Sequence, residues 1–142
     1  MQISEFLTCG FARALAGFLL ASLSATCAWA RLELVCELRY GSETRVLRHS
    51  AAADPYVYAA ETFEGRFRLK AVVLGGPEKI EHITLTVYDL AGAGAPKISQ
   101  QLRIEPPFNL QAELPALTGW SHVYASVLGR ELRYGCALQG RP

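Results

Sequence analysis

Cys9, Cys27, Cys36 and Cys136 are the only cysteines of the 142 residues, and His49, His82 and His122 the only histidines. Two thiols a hundred positions apart, Cys36 and Cys136, do not make a zinc site by themselves. In an oxidising compartment they read instead as one disulfide. A three-histidine centre needs three separate strands to converge, so the spacing favours isolated surface histidines. Methionine is confined to Met1, which removes a methionine-rich copper(I) site. No metal site and no cofactor are expected. For nucleophilic catalysis there is no Gly-x-Ser-x-Gly elbow. The carboxylate pairs Glu61/Glu64 and Glu78/Glu81 lie beside turns and read as solvated. No catalytic residue is assigned.

Two side-chain sets remain as candidate binding surfaces. Trp120, His122 and Tyr124 alternate with Val123 and Ala125, so they share the face opposite a buried one. Large exposed aromatics mark interaction surfaces; the competing explanation is that this face is covered and that Tyr124 packs across Gly135. Arg66, Arg68 and Lys70 alternate with apolar residues and would suit an anionic partner. The competing explanation there is a solvated strand face whose charges discourage edge pairing.

Strands must position both sets. Arg66–Ala71 and Ile83–Tyr88 alternate at period two around Gly75-Gly76-Pro77-Glu78-Lys79, a hairpin signature. Closing the loop with Leu74 opposite Ile80 sets Ala71 against Ile83, Leu69 against Leu85 and Phe67 against Val87, all apolar. The other face then pairs Lys70 with Thr84, Arg68 with Thr86 and Arg66 with Tyr88. Leu32, Leu34, Cys36, Leu38 and Tyr40 share one face of a first strand, and Glu43–His49 reads as a second. Tyr56–Ala60 reads as extended, Lys97–Glu105 as a strand, and Phe108–Leu114 as another short one. Trp120–Leu128 pairs with the segment after Gly129-Arg130, a two-residue turn that sets Val123 against Cys136 and Ala125 against Tyr134. Glu37-Leu38-Arg39-Tyr40-Gly41 recurs as Glu131-Leu132-Arg133-Tyr134-Gly135, which reads as two strands sharing one alternation.

Residues 1–30 resemble a secretory signal: an apolar stretch from Ala14 and the small-x-small cleavage site Ala28-Trp29-Ala30. An uncleaved anchor and a lipid-modified Cys27 are the alternatives. Cleavage leaves residues 31–142 as a single domain without a stable membrane span. Without Arg13 and Glu5, the 14 basic and 13 acidic residues become 13 and 12. A net charge of +1 gives no electrostatic argument for nucleic acid or for bulk membrane binding.

About seven to nine short strands, Gly/Pro turns and no helical periodicity predict an all-β fold, a small antiparallel β-sandwich with an immunoglobulin-like arrangement as one solution. The functional expectation is an exported, periplasmic or extracellular, non-catalytic module that binds a protein or an envelope ligand. The alternative is an enzyme or metal-handling protein with a site assembled from distant loops.

Overall fold

The computed structural model describes residues 31–76, 79–92, 94–125 and 129–141. The leader expected over residues 1–30 lies outside them. Eight strands are described: β1 (Arg31–Tyr40), β2 (Glu43–Ser50), β3 (Glu61–Phe63), β4 (Phe67–Gly75), β5 (Ile80–Asp89), β6 (Lys97–Ile104), β7 (Ser121–Tyr124) and β8 (Glu131–Arg141). They form two four-stranded antiparallel sheets, ordered β2-β1-β8-β7 and β3-β4-β5-β6. The chain is thus a small β-sandwich. Its order is not the immunoglobulin one, in which the third strand joins the sixth and seventh. Here β3 to β6 follow one another as a meander, and the two chain ends build the other sheet. Among the described residues no helix is long and apolar enough to cross a membrane.

The core forms because the alternation in each strand puts one parity inside. In β4, Phe67, Leu69, Ala71 and Val73 are buried and Arg68, Lys70, Val72 and Leu74 are not. They meet Leu34, Cys36, Leu38 and Tyr40 of β1 and Leu132, Tyr134, Cys136 and Leu138 of β8 in one cluster. The rings of Tyr40 and Phe67 pack edge to face across the sandwich at 5.6 Å. The Tyr134 hydroxyl donates to Gln100 Oε1 at 3.1 Å, and burial pushes its pKa up. Each fully buried Leu, Val or Phe contributes about 1.5–3 kcal/mol relative to exposure.

Both expected hairpins keep their faces and change their register. In the central one Leu69 pairs with Val87, Ala71 with Leu85 and Val73 with Ile83, two residues from the expected pairing. Gly75 is the cause. It sits opposite Ile80 in a bulge at φ 147°, where a Cβ would come within 2.3 Å of the Lys79 carbonyl oxygen. In the last hairpin Val123 pairs with Leu132 and Ser121 with Tyr134, four residues from the expected pairing. The two-residue turn is replaced by a longer connection closed by the Ala125 N–H donating to the Arg130 carbonyl at 2.8 Å. Val127 and Leu128 of the expected strand lie outside the described residues. Both shifts are even, and an even shift leaves every side chain on its face.

Two segments expected to be extended are not strands. Pro55–Val57 is a 3-10 turn, because the Asp54 carboxylate accepts the Tyr56 N–H at 2.8 Å and a proline begins the turn. The stretch Phe108–Leu114 makes no ladder; its Asn109 side chain bonds its own neighbours, at Gln111 N and Ala116 O.

Candidate functional site

The irregular chain from Pro106 to Trp120 folds back along β8. The Leu117 N–H donates to the Cys136 carbonyl at 2.9 Å, and the Cys136 N–H donates to Thr118 Oγ1 at 2.9 Å. Gln139 Nε2 reaches the Ala112 carbonyl at 2.7 Å. Pro115 and Trp120 then close over the outer side of the sheet at Gly135, where an added Cβ would stand 2.5 Å from Pro115 Cβ and 2.9 Å from Trp120 Cε3. Only glycine leaves room for the indole. Trp120, not Tyr124, therefore packs across Gly135.

The indole organises a patch of cations. Arg39 Cζ lies 5.1 Å and Arg133 Cζ 4.7 Å from its ring centroid. These two arginines are direct cross-strand neighbours of β1 and β8. Like charges in that arrangement repel, and two features offset the repulsion. Arg39 Nε donates to Glu37 Oε1, and the ring face attracts both guanidiniums, by about 0.5–1 kcal/mol each at exposed sites. Beside them His122 Nδ1 contacts Glu131 Oε1. Arg130 stands 3.8 Å from Glu64 in an exposed pair. Tyr124, opposite Glu131, is 62% exposed. Arg39, Tyr40, Gly41, Arg130, Glu131 and Arg133 line an open hollow of about 510 Å³.

Trp120, His122 and Tyr124 are thus neighbours on the outer face of the β2-β1-β8-β7 sheet, with Trp120 half-buried and Tyr124 open. The basic set lies elsewhere. Arg68 and Lys70 are on the outer face of the other sheet, paired with Tyr88 and Thr86. Arg66 precedes β4 in a turn, its N–H donating to the Phe63 carbonyl and its carbonyl accepting from Leu90. The two candidate sets do not form one site.

The histidines occupy different strands: His49 in β2, His82 in β5 and His122 in β7. Among the described residues no group of three or more His, Cys, Asp or Glu is placed to hold a metal ion. His49 sits edge-on to the Tyr58 ring at 5.8 Å, and burial lowers its pKa against the opposing pull of Glu61. The Tyr58 hydroxyl lies 2.6 Å from the Ser50 carbonyl and 2.7 Å from that of Val73, so it stitches β2 to β4. Burial raises its pKa. Cys36 and Cys136 are fully buried, paired in register on β1 and β8, with sulfurs 2.10 Å apart, at disulfide distance.

Sequence reasoning passed over Arg39, Arg133, Arg130 and Glu131. The signal for the first two was the repeated Glu-Leu-Arg-Tyr-Gly. Its two copies lie side by side and antiparallel, with their central arginines opposite each other. The chain matches no family model, no curated protein and no solved structure.

Proposed function

We propose that this protein is an exported binding module, and that the patch built on Trp120 is its binding surface. The observation that carries the reading is the indole seated on Gly135 with Arg39 and Arg133 over its ring and Tyr124 exposed beside it. Aromatic and arginine side chains together are the residue types that dominate protein recognition. Export is supported by the cysteine pair, since disulfides persist in oxidising compartments.

The test is affinity capture from the native envelope with the wild-type protein and with Tyr124→Ala and Arg133→Ala. The expected result is a component retained by the wild type and lost from both variants while their melting temperatures stay close to it. Equal retention by all three would sink the reading. Amino-terminal analysis of the envelope protein is expected to start at Arg31; a start at Met1 or at a modified Cys27 removes the cleaved-leader part of it.

A further inference from the structure

We propose that the hollow beside Trp120 takes the carboxylate of a small organic acid. This rests on the binding-surface reading and names its ligand class. Three arginines surround the hollow from two strands and a loop. Arg39 is engaged by Glu37, and Arg130 stands 3.8 Å from Glu64. Among the described residues no acidic side chain lies within ion-pair distance of Arg133. Among the described residues its charge is met by the indole and opposed by Arg39 across the strands. An anion at this point would add to the indole and Glu37 in offsetting the Arg39–Arg133 repulsion.

The chemistry selects a carboxylate. A guanidinium held over a ring still carries N–H donors for a ligand, and their fork matches a carboxylate with two parallel hydrogen bonds. Counting lining residues and their partners, Arg39, Arg130 and Arg133 stand against Glu37, Glu64 and Glu131, the last of which also contacts His122. A locally neutral set with one unmatched guanidinium suits a single negative charge better than a phosphate dianion, which Glu131 would repel. The volume, about 510 Å³, is that of a small-molecule site. Tyr124 is not among the lining residues; it is the cross-strand partner of Glu131, which is.

The experiment is a nuclear magnetic resonance titration of the purified protein with benzoate at constant ionic strength, with benzamide and inorganic phosphate as parallel arms. The expected result is saturable shifts of the Arg39 and Arg133 Nε–H signals with benzoate, none with benzamide, and at least tenfold weaker binding in Arg133→Gln. Arg130→Gln, at a 61% exposed side chain, is expected to weaken binding several-fold and decides the question should Arg133→Gln fail to fold. Equal response to benzamide, tighter binding of phosphate, or unchanged affinity in the folded variants overturns the proposal. Loss of benzoate binding alongside retained, Tyr124-dependent envelope capture overturns the ligand class and leaves the surface standing.

Discussion

The two outer faces of the sandwich begin from the same kind of sequence and end differently. On the β3-β4-β5-β6 sheet the outward residues Arg68, Lys70, Thr84 and Tyr88 stay half-exposed, while Thr86 between Lys70 and Gln101 is buried. On the β2-β1-β8-β7 sheet, Val35 and Ala137 form an outward cross-strand pair that is 1% and 0% exposed, and Gly135 lies under Pro115 and Trp120. Alternation tells which parity faces the core. Whether the opposite parity meets water depends partly on side-chain size: the covered positions carry Val, Gly and Ala, while Arg39, Arg133 and Tyr124 of that sheet and Arg68 and Lys70 of the other remain at the surface. Returning chain needs small residues beneath it, because a long cation there would have to be desolvated.

The largest test of this contrast removes the cross-link that only the covered sheet possesses. Cys36→Ala with Cys136→Ala opens a loop of 100 residues, and chain entropy for such a loop gives a loss of about 4.7 kcal/mol. A strongly lowered denaturation midpoint is expected; an unchanged one would show that the sheet holds without the bridge. Next, Trp120→Ala should cost about 2–3 kcal/mol, less than the 3–5 of a fully buried aromatic because the ring is half-exposed. Gly135→Ala should cost about 1–3 kcal/mol by overpacking against Pro115 and Trp120. In a double-mutant cycle the second cost should shrink once Trp120 is alanine. Additive costs would separate the glycine from the indole.

The fourth prediction concerns pH. His49 has a lowered folded-state pKa, so below the ordinary 6.5 the unfolded chain takes up protons before the folded one. Stability contributed by the neutral ring is complete above that value and declines as pH falls below it. His49→Gln should flatten the melting profile below about pH 6.5 relative to wild type; an identical slope in both refutes the assignment. The smallest effect belongs to the open face: Lys70→Ala should change stability by no more than about 0.5 kcal/mol, as surface substitutions do. A loss of several times that would mean the face is not open.

Much of the sandwich was legible because the strands alternate cleanly. Leu34, Cys36, Leu38 and Tyr40 could be placed inside from the sequence, as could Phe67, Leu69 and Ala71. What failed was pairing. Registers depend on loop closure, and neither the bulge at Gly75 nor the longer connection after Ala125 is encoded in alternation. The Phe108–Leu114 alternation does not make a strand: its apolar residues mimic a ladder while Asn109 bonds locally. Of the patch, the aromatic members were visible as a stripe. Arg39 and Arg133 were not, since they lie 94 positions apart in sequence and meet only because β1 and β8 are neighbours.

That same neighbourhood gives the molecule a direction. Arg31 pairs with Arg141 at one end of the β1–β8 ladder, and Tyr40 with Leu132 at the other. Anything preceding Arg31 therefore joins the sandwich beside the point where β8 ends, while Arg39 and Arg133 lie near the opposite end, with the indole over Gly135 beside them. Eight residues of strand, about 26 Å, separate Arg31 from Arg39. A tag, a surface or a fused domain attached before Arg31 would hold the sandwich by its heel and leave the arginine-lined hollow pointing away, whereas an insertion at Gly41-Ser42 would land on its rim.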